Sequence, residues 1–277
     1  MGDGVPELQD FFPGRSITLE GEGQLSIAWR VDDELVVRVP KHPFGVDRLL
    51  FEVRVLKSIG TRLDAAASLP RIVDARLDLP VGYAYVAHRR IPGRILRRTD
   101  LASLPQDRVE HIGAQVGRFL RELHALDLAD VPDVPVRTPQ QFAADLTIEV
   151  ERLLRPRIRP DQVAALQATL RDVAALAPKP SVLAHADIGG NIVVDDEGHV
   201  GIIDFGSCLA THPAFDVASL SVLGEDLVRA AAAEYPLLGK LRREAEVVAK
   251  TFLLQDALYG AKQQDWEYVV DMFAATE

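Results

Sequence analysis

The first third of the chain breaks its apolar residues into short β-like runs. Arg15–Leu19, Gln24–Val31 and the Val-rich Glu34–Val39 read as strands. Gly21 and Gly23 separate the first two runs, and Asp32-Asp33 turns the chain between the second and third. The spacing then changes. Val46, Leu49, Leu50, Val53, Leu56 and Ile59 recur at helical intervals, with Gly60 standing where such a helix would stop. Arg71–Leu77 and Gly82–Ile91 read as two further strands, followed by Pro92-Gly93. Beyond Thr99 helical spacing takes over. Val109, Ile112, Val116, Phe119, Leu120 and Leu123 mark one amphipathic face, and Phe142, Leu146, Val150 and Leu153 mark another. Gln162–Leu176 is rich in Ala and Leu. Two short β-like segments, Asn191–Val194 and Val200–Asp204, interrupt this, and helices resume from Phe215. The pattern predicts an α+β chain in two lobes: a small β-rich lobe at 1–91 and a larger, mostly helical lobe at 92–277.

Composition narrows the functional classes. Hydrophobic residues make up 48% of the 277, enough for a sizeable core. No apolar run approaches the ~20 residues of a membrane span, and the N-terminus lacks a charged-then-apolar leader. The single Cys208 rules out an internal disulfide and fits a reducing, cytoplasmic setting. A net charge of −10 disfavours nucleic acid as a partner and is compatible with a cationic one. A monomer or a dimer is expected.

The stretch from Leu183 to Gly206 carries the most chemistry. Phosphoryl transfer requires oxygen ligands for Mg2+ and a carboxylate beside the attacking hydroxyl. Asp187, Asn191 and Asp204 offer those groups, and a hairpin between Asn191 and Asp204 would bring its own ends together. Taken singly, each is as consistent with a polar hairpin end, and His185 with a hydrogen-bonded structural histidine.

Joined to the rest of the chain, the stretch resembles a known family. His185-Ala186-Asp187 through Asn191, then Ile203-Asp204-Phe205-Gly206, is similar to the catalytic and metal-binding segments of the aminoglycoside phosphotransferase family, relatives of the protein kinases. Pro213-Ala214-Phe215-Asp216 resembles the family's helix start with its bracing Asp. Phe119–His124, Arg90–Gly93 and Val36–Pro40 resemble its upstream helix, the chain past its interlobe hinge and its third strand. The matches follow the family's order along almost the whole chain. They imply the two-lobed protein-kinase-like fold. They also imply Asp187 as the catalytic carboxylate, Asn191 and Asp204 as Mg2+ ligands, and Arg38 as the cation reaching the phosphates of ATP or GTP, paired with Glu52. His185 and Asp216 would support the loop. Arg89 C=O and Ile91 N–H would meet the purine, and Gly21, Gly23 and Ser26 would lie over the phosphates.

Three departures from the family pattern stand out. Arg38 replaces the usual Lys; Lys41 is an alternative cation, but Pro40 and strand alternation favour Arg38. The interval from Asp187 to Asn191 is one residue short, and Gly189-Gly190 could close it through positive φ. His212 stands where an acid or Gly-Asp precedes Pro213.

The acceptor is expected against the last helices, where Asp256 and Glu267 could meet ammonium groups and Tyr259 or Trp266 could stack on a sugar or cation. The same residues also suit an exposed acidic helix. The implied activity is Mg2+-dependent transfer of the γ-phosphate to a hydroxyl of a cationic antibiotic such as an aminoglycoside. A macrolide, a tuberactinomycin peptide or a cellular metabolite are the alternative acceptors. A catalytically weak nucleotide-binding module is the alternative from another functional class.

Overall fold

The computed structural model describes residues 5–63, 66–131 and 133–274. A short helix, α1 (Val5–Phe11), precedes β1 (Ile17–Glu22), β2 (Ser26–Val31) and β3 (Leu35–Pro40). Helix α2 (Pro43–Leu63), β4 (Ile72–Arg76) and β5 (Tyr85–Arg89) follow. The strands form one antiparallel sheet in the order β1-β2-β3-β5-β4. Alternation along β3 decides the placement of Arg38. Leu35, Val37 and Val39 join Trp29, Val31, Tyr85 and Ala87 in a core on one face, covered by Leu8 of α1. Arg38 therefore projects from the opposite face, where Leu49 and Val53 of α2 pack with Val86 and Ala84.

Gly60 does not end α2. Ile59 and Leu63 are both buried one turn apart, so the apolar stripe carries the helix past the glycine to Leu63. The strands also begin later than the apolar runs predict. β1 also runs on past Leu19 to Glu22, so Gly21 falls inside it, beside a register shift between Leu19 and Gly21.

Past the sheet come β6 (Arg94–Ile95), α3 (Arg98–Leu101) and α4 (Gln106–His124). The second amphipathic stretch is α5 (Pro139–Glu149), running into a π turn at Val150–Leu154, and α6 spans Pro160–Ala174. Four three-residue strands follow: β7 (Val182–Ala184), β8 (Ile192–Val194), β9 (Val200–Ile202) and β10 (Leu209–Thr211). The chain ends in α7 (Ala214–Ser221), α8 (Glu225–Glu234), α9 (Pro236–Lys240), α10 (Arg242–Ala249), α11 (Phe252–Lys262) and α12 (Trp266–Ala274).

Small residues set the tightest helix packing: a Cβ on Gly113 or Gly117 of α4 would overlap Ala230 or Ala231 of α8. The β8–β9 hairpin sits where the sheet meets the helices. Its inner edge pairs with β6. Its outer edge takes Ser68, whose N–H donates to Val200 C=O and whose C=O accepts from Ile202 N–H, each at 2.9 Å. Among the described residues no helix is long and apolar enough to cross a membrane.

Candidate active site

The hairpin register places its two ends side by side. Ile192 faces Ile202, and Ile203 N–H donates to Asn191 C=O at 3.0 Å, so Asn191 and Asp204 emerge together. The shortened interval before Asn191 closes as a 3₁₀ turn over Ile188–Gly190. Asn191 Nδ2 then donates to Asp187 C=O at 2.6 Å and to Asp187 Oδ2 at 3.1 Å.

The turn does not use positive φ at either glycine, contrary to the expectation from sequence. The left-handed residue is Ala186, with φ 65°. Gly189 is required for another reason: its N–H reaches Ser219 Oγ at 2.9 Å, and a Cβ there would overlap the Ser219 carbonyl oxygen. Gly190 faces open space.

Asp216 holds the backbone just before Asp187. Its carboxylate, 0% exposed, accepts from His185 N–H at 3.1 Å and Ala186 N–H at 2.6 Å, and pairs with His124 Nε2 at 2.8 Å. These bonds fix the strained Ala186 conformation. His185 is fully buried, its Nε2 lying 3.0 Å from Ile203 C=O and its ring against Phe205. One imidazole therefore ties the strand before Asp187 to the residue before Asp204. His212 supplies the start of α7: its Nδ1 accepts from Ala214 N–H at 3.1 Å, a job an acid could also do.

Asp204 has φ 61° and ψ 70°, a left-handed conformation that turns the chain into the Phe205–Ser207 turn. The sheet and α2 grip this turn. Arg38 Nη1 meets Glu52 Oε2 at 2.5 Å, Arg38 Nη2 meets Asp204 Oδ2 at 3.1 Å, and Arg38 Nε lies 3.4 Å from Ser26 Oγ. Glu52 Oε1 also accepts from Phe205 N–H at 3.2 Å, and Arg48 Nη1 donates to Gly206 C=O at 2.7 Å. Lys41 is engaged elsewhere, 2.5 Å from Glu22.

Burial pushes the Glu52 carboxyl from 4.5 up to about 7, with Arg38 pulling it down and Asp204 pushing it up. Burial also raises the Asp187 carboxyl; His185 and the Asn191 bond pull against it, while Asp204 and Asp216 add to it.

A cavity of about 250 Å³ joins these groups. Gly23–Ser26, Arg38, Arg48, Leu49, Glu52, Asp187, Asp204, Gly206 and Ser207 are among its lining residues. Gly21 is not in its lining. Arg89 donates its N–H to Arg71 C=O at 2.9 Å, and its own C=O lies 3.1 Å from His88 Nδ1. The Ile91 side chain packs on Gly201 of β9 so closely that a Cβ there would overlap it.

The donors near Asp187 fit a hard divalent cation. Asn191 spends its amide N–H groups on Asp187, and among the described residues no hydrogen bond engages its carbonyl oxygen. Asp204 keeps a side chain 39% exposed, with Oδ2 on Arg38. Two oxygen donors with room for water suit Mg2+ better than a soft metal. A second group, Asp195, Glu197 and His199, has ligand atoms within 4.8 Å of one another at the β8–β9 turn, away from the cavity lining.

The proposed acceptor residues are not brought to the cavity. Asp256, Tyr259, Trp266 and Glu267 are absent from its lining. The Trp266 ring is already covered by the Arg157 guanidinium, 4.7 Å from its centroid, so that face is taken by the chain itself. Asp256 is exposed on α11, its carboxyl raised by partial burial.

Three residues absent from the expected site stand at or beside it. Arg48 and Ser207 line the cavity, and His124 braces Asp216. The only advance signal was position: Arg48 lies one helical turn before Glu52, and His124 closes the helix that resembles the family's.

Comparison with known proteins bears on the fold and the family. The chain superposes on the GDP and kanamycin complex of APH(2")-IIia with a TM-score of 0.86 at 22% identity, covering 98% of this chain and 96% of that one. It superposes on ADP-bound aminoglycoside phosphotransferase APH(2'')-Ib with a TM-score of 0.79 at 16% identity, covering 99% and 96%. Macrolide 2'-phosphotransferase MphH from Brachybacterium faecium follows with a TM-score of 0.71 at 20% identity, covering 99% and 98%. These likenesses show the two-lobed kinase-like fold. The family model described as "Phosphotransferase enzyme family" matches residues 17–246, most of the chain. The chain therefore belongs to the phosphotransferase enzyme family.

Proposed function

We propose that the chain transfers the γ-phosphate of ATP or GTP to a hydroxyl of a small molecule with Mg2+ as cofactor, and that the acceptor is a cationic antibiotic of the aminoglycoside type. The observation that carries this reading is the convergence of Asp187, Asn191 and Asp204 beside a cavity whose other walls are the Gly23–Ser26 turn and the Arg38–Glu52 pair.

Asp187 accepts the proton of the acceptor hydroxyl as its oxygen bonds to the γ-phosphorus; the bond to the bridging oxygen breaks and the nucleoside diphosphate leaves. Burial raises the basicity of that carboxylate, and the Asn191 bond fixes its direction. Asn191 and Asp204 would hold Mg2+, which supplies charge neutralisation for the triphosphate. Arg38 steadies Asp204, and Gly23 and Ser26 offer a close-fitting turn over the phosphates. The Arg89 C=O and the Ile91 N–H would meet the purine. The net charge of −10 is compatible with a cationic acceptor, and a solved structure similar to this chain is a kanamycin complex.

The test incubates the purified chain with Mg·ATP or Mg·GTP and kanamycin, a macrolide, viomycin or a sugar, with Asp187→Asn alongside. We expect phosphorylated kanamycin, and a loss in kcat of roughly 10²–10⁴-fold in the variant, the range for removing a positioned proton acceptor. Turnover of the macrolide alone would move the acceptor to that class. Nucleotide binding indifferent to Mg2+ with no turnover would mark a binding module instead.

A further inference from the structure

Two guanidinium groups line the cavity, and their partners differ. Arg38 is matched by two carboxylates, Glu52 at 2.5 Å and Asp204 at 3.1 Å. Arg48 donates to the neutral carbonyl of Gly206 at 2.7 Å and lies over the Phe44 ring, 5.2 Å from its centroid. Among the described residues no carboxylate pairs with it. Burial and the nearby Arg137 cation disfavour its charge, and Asp204 favours it from a distance. A half-buried cation held by a dipole and a ring lacks the counter-charge that Arg38 already has. The Gly206 bond fixes the planar group while occupying one of its five N–H donors.

We propose that Arg48 is a second cationic ligand of the nucleotide in this cavity, binding the terminal phosphate. The inference rests on the phosphotransferase reading above. Asp187 and Asp204 line the same cavity, so the phosphate lying among them is the one to be transferred.

The experiment is calorimetric titration of the full chain, in Mg2+, with nucleoside, diphosphate and triphosphate of the preferred purine. Wild type, Arg48→Met and Arg48→Lys are compared, with melting temperatures of the unliganded proteins as a folding control. Arg48→Met is expected to weaken the triphosphate by about ten-fold, the scale of one charge-assisted bond. Diphosphate and nucleoside affinities should stay near wild type, and Arg48→Lys should recover part of the loss. A uniform loss across all three ligands would reduce Arg48 to a clasp on Gly206 and overturn the proposal. So would an unchanged triphosphate affinity. Should Arg48→Met fail to fold, an unaltered triphosphate preference in Arg48→Lys, which cannot make the planar contact, counts against it equally. Absence of nucleotide binding in wild type would instead overturn the phosphotransferase reading itself.

Discussion

Arg38 shows why a lysine would serve this chain differently. Three nitrogens of one guanidinium point at Glu52, Asp204 and Ser26, a division that a single ammonium cannot copy. Its partner gives a pH prediction. The Glu52 carboxyl is raised by burial from 4.5 to about 7, so the folded chain holds that proton more tightly than the unfolded one. The stability this contributes is complete below the unfolded value and is lost as pH rises through about 7. His88, lowered by burial from 6.5 to about 4, works the other way: its contribution is complete above 6.5 and lost as pH falls. The two slopes oppose each other in the wild type, so the difference from Glu52→Gln isolates one of them. Relative to that variant, the wild-type melting temperature should fall between about pH 5 and about pH 8. Parallel melting profiles would show that Glu52 titrates normally.

At the scale of elements, the loop from Asp187 to Asn191 separates two roles for glycine. Gly189→Ala pushes a methyl into the Ser219 carbonyl and should cost roughly 1–3 kcal/mol, the usual overpacking penalty. Gly190→Ala meets nothing and has no positive φ to lose, so it should melt within a degree or so of wild type. Thermal unfolding of the pair tests both. The strands around Arg38 and the hairpin between Asn191 and Asp204 were legible in sequence, because local apolar patterns and turn residues specify them. The ends of those elements were less so. Gly60 lost to the buried Leu63, and Gly21 was absorbed into β1, since tertiary burial outweighs a local breaker. The strands β7 and β10 are three residues each and pair with one another across 24 or more residues of chain, so no local pattern announces them.

For the whole molecule, the order of motifs identified the fold and the family because it samples the chain from Val36 to Asp216. What it left out are groups defined by distant partners: Arg48 at Gly206, His124 at Asp216, Arg157 over Trp266. An aromatic side chain in sequence carries no sign of the arginine that stacks on it. The Asp216 brace has a kinetic side. Its bond to His124 closes 92 residues of chain, its bond to His185 closes 31, and Arg38 reaches Asp204 across 166. Contacts of such separation form late, after the helices they join. On dilution from denaturant, far-UV ellipticity should therefore recover before nucleotide binding does, leaving an interval in which a helical chain exists whose catalytic loop is not yet set. Superimposable recovery traces would contradict that order. A chain caught in that interval would expose the loop around Ala186 to proteases that the finished brace keeps out.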